Sequence, residues 1–399
     1  MATNRSRRER PPTLRERPHV VLLVETSLAS GRDILRGIAQ YVREHGPWSI
    51  YHEPRSLEDS VPRWLKRWRG DGIIARLQNR QIAAAVLATG VPAVDVLGVC
   101  PDSRVPLVRV NNDGVARLAA EHLLERGFRH FGFCGSAGVN WSEQRREAFE
   151  RVLTEAGCDV QVYLMPSHGR GRDGWEKQEE QLARWIGGLP RPAGIMVAND
   201  PLGQPVLEAC RRAGASVPDE IAVIGVDNDE PLCEMSNPQL SSIMPDHRRV
   251  GYEAAALLDR MIHGQRQPAE QVCVQPLGVV TRQSTEVFAI EDLEVARAVH
   301  FIRKHACDGI GVEDVAAGVA LSRSVLKRRF NKWLGRPVHD EIVQVRIRRA
   351  QELLGMTDLP IATIAEKAGF RHQEYLGAVF KARVGQTPAQ FRRQARGGG

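Results

Sequence analysis

From His19 to about Thr285, short apolar runs alternate with amphipathic stretches. VVLLVE (20–25), DGIIARL (71–77), PAVDVLG (92–98), HFGFCGS (130–136), AGIMVAND (193–200) and IAVIGVDN (221–228) have strand length and are mostly apolar. Near-continuous runs of this kind predict strands covered on both faces. Between them, GRDILRGIAQYVREHG, GVARLAAEHLLERG, SEQRREAFERVLTEAG and DPLGQPVLEACRRAG predict helices, several closing on a glycine stop. The alternation predicts parallel sheets with helices on both sides. The span 19–285 is more than one such sheet usually takes, so two α/β lobes are expected.

After Thr285 the strand signals stop. EDLEVARAVHFIRKHA opens an all-helical region with an acidic first turn and a basic last turn, which suits the helix dipole. An internal repeat follows. Leu326, Phe330 and Gly335 recur at a constant step as Leu376, Phe380 and Gly385, while Val315-Ala316 recurs as Ile364-Ala365 at a step one residue shorter. Each copy predicts a short helix, a tight turn and a longer basic helix, about 312–334 and 361–384, with the second turn one residue longer. That is a helix-turn-helix, and PVHDEIVQVRIRRAQELLG predicts one long helix joining the pair.

In the first longer helix Ser322 is the expected N-cap, with Leu326 and Phe330 inward. Arg323, Ser324, Lys327, Arg328 and Asn331 are left outward. The second is expected to run from Arg371, with Leu376, Val379 and Phe380 inward and His372, Gln373 and Lys381 outward. Arg, Asn and Gln can read base edges, and Lys and Arg also hold phosphates. A charge run on one helix is usually just a solvated face. Two in register, in the most basic third of the chain, point instead to double-stranded DNA.

Charge placement supports this. The net charge is +7, and residues 287–399 alone hold 19 Lys+Arg against 12 Asp+Glu. Residues 1–18 read as a basic disordered arm, so the acidic middle is flanked by basic ends and a polyanion partner is expected for those ends. The seven cysteines are scattered without a CxxC pair, which points to reduced thiols in the cytoplasm. HVVLLV is too short for a signal-peptide core and no run reaches membrane-span length, so no membrane partner is expected. No dinucleotide, P-loop, nucleophile-elbow or HExxH motif is present, and neither a cofactor, a metal nor a catalytic residue is expected.

In the middle of the chain, two strand candidates end in polar tips, Asn199-Asp200 and Asp227-Asn228. Ligands of open parallel sheets bind beyond the carboxyl ends of strands. Carboxylates there can accept hydrogen bonds from neighbouring hydroxyls, with Arg145 as a donor fork. The plain alternative is a turn or a helix cap. Two carboxylates in a cleft could also serve an enzyme as acid and base.

Two resemblances bear on these readings. GFRHQEYLGAVFKARVGQTPAQFR, preceded by IATIAEKA, resembles the C-terminal signature of AraC-type transcription regulators over about the last 100 residues. Leu376 stands where that family usually has an aromatic residue. The resemblance implies that both basic helices enter DNA. VPDEIAVIGVDN, with the Asn-Asp before it, resembles the sugar-binding core of lactose-repressor-type regulators, which have the two-lobed periplasmic-binding-protein fold. It implies a cleft in which Arg145, Asp200 and Asp227 grip sugar hydroxyls, Asn111 at a cleft or hinge position, and the SGRDILRGI segment with Glu25 at the mouth. A sugar sensor at 19–285 followed by a double reader at 286–399 is similar to pentose-operon regulators. That order implies a pentose effector, D-xylose first and another monosaccharide or polyol as the alternative, a homodimer and a contact with RNA polymerase.

Overall fold

The computed structural model describes residues 17–56, 59–99, 104–166, 172–265, 271–286, 292–357 and 359–396. The basic arm 1–18 lies almost wholly outside them. Among the described residues there are twelve strands, six of them the apolar runs: β1 (His19–Leu23), β2 (Ser49–His52), β3 (Gly72–Ala75), β4 (Ala93–Val96), β5 (Leu107–Val110), β6 (His130–Ser136), β7 (Val160–Met165), β8 (Ala193–Val197), β9 (Ile221–Val226), β10 (Ser241–Pro245), β11 (Gln271–Val274) and β12 (Pro276–Val280). They assemble as two six-stranded sheets, ordered β11-β5-β4-β3-β1-β2 and β12-β10-β9-β8-β6-β7. All pairings are parallel except that of β12 with β10. Each sheet is thus one lobe, completed by a strand that arrives late in the sequence.

Parallel strands need crossover helices, and these cover both faces. The helix Ala29–His45 lies against His247–Ile262 in the first lobe, and Asn112–Glu125 against Asn140–Glu155 in the second. Close approach is required there. A Cβ at Gly37 would fall 1.9 Å from the Arg248 carbonyl oxygen, and one at Gly251 2.0 Å from that of Ile34, so glycine is needed at both positions.

Among the described residues the chain passes between the lobes at Asn111, Asp246 and Gln275. Two of these crossings are tied together, Asn111 Nδ2 donating to Gln275 Oε1 at 2.9 Å. Three close strands of backbone make a natural hinge.

The C-terminal region is helical: Leu293–His305, Val312–Gly318, Arg323–Leu334, Val338–Met356, Ile361–Lys367, Gln373–Val384 and Pro388–Arg396. The repeat visible in the sequence becomes two small cores, one around Leu326 and Phe330, the other around Leu376 and Phe380, all four fully buried. Gly335 and Gly385 end the two longer helices in the left-handed conformation, at φ 65° and 81°. Ser322 caps the first of them, its hydroxyl accepting from Val325 N at 3.4 Å. The second starts later than expected: His372 is its N-cap and Arg371 lies before it.

Candidate ligand cleft and nucleic-acid interface

The carboxyl ends of the strands in both sheets face one cavity between the lobes. Arg76 and Leu97, which follow β3 and β4, line it together with Ser30 from the first lobe. Asn199 and Asp227, which follow β8 and β9, line it with Asn112, Trp141 and Arg145 from the second. His247, just after a crossing, completes it. The space is about 410 Å³ when the solvent at its open mouth is counted. Two lining residues that are not glycine, Leu97 (φ 73°) and Asp227 (φ 104°), hold positive φ. Such conformations persist only where surrounding structure enforces them, and they cluster at binding sites.

Asp227 is the electrostatic centre. His247 Nε2 lies 3.2 Å from its Oδ1 and an Arg145 guanidinium nitrogen 3.7 Å away. Burial pushes this carboxyl up, but the His247 hydrogen bond and the Arg145 charge outweigh it and hold the pKa below the ordinary carboxylate value. Arg145 is itself fixed: Nε donates to Asn112 Oδ1 at 3.0 Å and Nη1 to the Ala198 carbonyl at 2.5 Å, while the guanidinium lies 5.1 Å from the Trp141 ring centroid. Arg76 is ion-paired with Glu25, both nearly fully buried.

Several buried polar atoms here have no protein partner: Asn199 Oδ1, His247 Nδ1, Arg76 Nε and Glu25 Oε2. Leaving such a group unmet costs about 1–3 kcal/mol. Donors and acceptors thus converge on the cavity from both lobes. Such an array suits a small neutral molecule rich in hydroxyls, since each hydroxyl both donates and accepts. At the mouth the lobes also touch directly, through Arg32–Asp229 at 3.5 Å and Asn140 Nδ2 donating to the Gly98 carbonyl at 3.1 Å.

Of the residues expected in the cleft, Arg145 and Asp227 line it. Asp200 is outside the lining: it is fully buried, and Oδ2 accepts from Asp229 N at 2.8 Å and Oδ1 from the Ser242 hydroxyl at 2.7 Å. Its neighbour Asn199 takes the lining position, because a turn at the end of β8 points consecutive side chains in different directions. Asn111 sits at the hinge, where its side chain caps the helix Asn112–Glu125 by accepting from Gly114 N at 3.1 Å; the next residue, Asn112, reaches the cavity. Glu25 stands behind Arg76 and does not line the cavity itself. The SGRDILRGI segment belongs to the helix Ala29–His45, and only its start, at Ser30, borders the site. Arg76, Asn112, Trp141 and His247 line the cavity without having been expected there, and Asn199, half of an expected polar tip, lines it without having been assigned a role. The polar ends of AGIMVAND and DGIIARL were a usable signal for Asn199 and Arg76; none marked His247.

At the other end of the molecule, Arg323, Ser324, Lys327, Arg328, Asn331, Arg371, His372, Gln373 and Lys381 are all exposed. The expected outward face is therefore available to a large partner. Arg328 flanks it, beside Lys332 in a groove shared with Asp292 and Glu294. Arg323 is held 2.8 Å from Glu313 on the preceding short helix.

Family models match along the chain: the XylR N-terminal domain at residues 19–108, a periplasmic binding protein-like domain at 120–285 and a helix-turn-helix domain at 315–394. The xylose operon regulatory protein of Escherichia coli K12 is 32% identical over 387 residues, covering 94% of this chain and 97% of the relative. That of Haemophilus influenzae is 29% identical over 382 residues, with coverage of 94% and 97%. Among solved structures, that of the xylose-binding transcription activator xylR superposes with a TM-score of 0.79 at 30% identity, over 95% of this chain and 99% of that one.

Proposed function

Because the chain belongs to the family of xylose operon regulatory proteins and is a DNA-binding transcription regulator, not an enzyme, we propose that a pentose, D-xylose first, is its effector. The observation that carries this reading is the cavity between the lobes, where the Asp227–Arg145 pair and the unpartnered atoms of Asn199, His247 and Arg76 converge. Asp227 accepts from sugar hydroxyls, Arg145 and Arg76 donate, and Asn199 accepts from a hydroxyl that reaches the floor. Because the two lobes both contribute, sugar favours the state in which they are closed.

The same reading makes the helices Arg323–Leu334 and Gln373–Val384 the DNA readers of an activator that acts in the cytoplasm as a homodimer and contacts RNA polymerase. The exposed basic faces support the DNA assignment. A polyol or another monosaccharide in the cleft is the second reading, since the same hydroxyl chemistry fits it.

Calorimetry of the purified protein against pentoses, hexoses and polyols tests the ligand. D-Xylose is expected to bind, and Asp227→Ala to weaken it at least tenfold, each lost charged hydrogen bond being worth about 1.5–3 kcal/mol. Unchanged affinity in Asp227→Ala would place the sugar elsewhere.

A further inference from the structure

The segment that leaves β12 carries more hydrogen bonds than a linker needs. Ser284 and Thr285 are completely buried. The Ser284 hydroxyl donates to the Val223 carbonyl at 2.6 Å and accepts from Ser241 N at 2.8 Å. The Thr285 hydroxyl donates to Ser241 Oγ at 2.8 Å and lies 2.7 Å from His122 Nε2. This strap is part of the second lobe.

On one side of it, Arg282 reaches toward the cleft. Its Nη2 donates to Asn228 Oδ1 at 2.9 Å, and Asn228 directly follows Asp227 in a left-handed turn at φ 47°. On the other side the strap grips the reader region. Gln283 Nε2 donates to Glu352 Oε1 at 3.1 Å, and Glu286 pairs with Arg348 at 3.0 Å; both partners are on the helix Val338–Met356 that joins the two readers. A second clamp lies nearby: buried Asp219 of the second lobe is 2.5 Å from Arg303 and 3.2 Å from His300, on the helix Leu293–His305.

We propose that Arg282 is a positioning residue for the effector response: through Asn228 it senses the loop holding Asp227, and through Gln283–Glu352 it sets the helix that joins the two DNA readers. The proposal rests on the cleft being the effector site. Physically, the loop after β9 has few ways to move without dragging a guanidinium bonded to it. The residue next to that guanidinium is bonded to the reader helix, so the two displacements share one rigid segment.

Amide hydrogen exchange on the full chain, with and without saturating D-xylose, reads both ends of this path. Sugar is expected to change exchange at least twofold in the cleft helix 140–155 and in the joining helix 338–356. Glu352→Ala should abolish the change in 338–356 and keep it in 140–155, whereas Glu352→Gln, which still accepts from Gln283, should restore it. A response in 338–356 that survives Glu352→Ala overturns the proposal. Asn228→Gly keeps the left-handed turn and deletes the bond to Arg282, so without any sugar it should speed exchange in 338–356 at least twofold. No such change overturns the proposal independently. If sugar leaves 140–155 unmoved in the unaltered protein while Asn228→Gly still loosens 338–356, the effector reading fails and the mechanical link stands.

Discussion

Asp200 and Asp227 show how differently two aspartates at neighbouring strand ends behave. Burial raises the Asp200 pKa to about 7, and the nearby Asp227 charge adds to this, against hydrogen bonds from Ser242 and the Asp229 amide. Asp227, bonded to His247 and facing Arg145, goes the other way. Between about pH 4 and 7 the folded state therefore keeps a proton at Asp200 that the unfolded chain has lost. This contribution to stability is complete below the ordinary carboxylate value and is lost as pH rises through about 7. Asp200→Asn supplies one acceptor for Asp229 N and one donor for Ser242, so it should fold. Denaturant titrations at pH 4.5 and 7.5 should show the variant gaining stability relative to the parent at the higher pH, by at most about 4 kcal/mol for the three-unit shift. A constant difference between the two pH values would mean that Asp200 is ionised throughout.

The two helix-turn-helix copies differ at one informative position. In the second turn Gly369 holds φ 78°, while in the first the equivalent Ala320 holds φ 52° and is exposed. A left-handed L-residue costs about 1–2 kcal/mol, and glycine recovers most of this, less its greater loss of backbone freedom. Ala320→Gly should thus stabilise the first reader by about 0.5–1 kcal/mol, slowing amide exchange in residues 312–334 by about two- to fivefold. Faster exchange would show that the alanine methyl makes contacts that outweigh the strain. The cost of keeping alanine is confined to the turn, because Leu326 and Phe330 still anchor the helix behind it.

For the molecule as a whole, the joining helix sets the reach of the DNA domain. The helix Val338–Met356 has 19 residues, about 28 Å at roughly 1.5 Å each, and with its flanking turns it brings the readers to about one DNA turn, near 34 Å. A protomer whose two readers both engage is then expected to cover two successive major grooves on one face of the duplex. Inserting five base pairs between the two grooves of one site should abolish protection in a footprint, because the second groove rotates to the far side of the duplex. Protection that tolerates the insertion would mean that the readers move independently.

Much of this was determined by local sequence. The apolar strands, the helices between them, the repeat of Leu326, Phe330 and Gly335 at Leu376, Phe380 and Gly385, and the exposed basic faces all follow from short-range periodicity, which acts through the nearest turn of helix or pair of strands. Arg145 and Asp227 were also readable, one as a donor in a helix, the other as a polar strand end. Membership of each strand in its lobe was not, because β11 and β12 are separated in the chain by Gln275 alone and join different sheets. Nor was the choice between Asn199 and Asp200, or between Asn111 and Asn112: adjacent side chains at a strand end diverge, and only the packed neighbours Ser242, Gly114 and Arg145 decide which one is turned to the cavity. His247 and the strap from Arg282 to Glu286 belong to the same class. Their partners lie many residues away, and hydrogen bonds at that separation exist only once the lobes and the reader region have folded against one another.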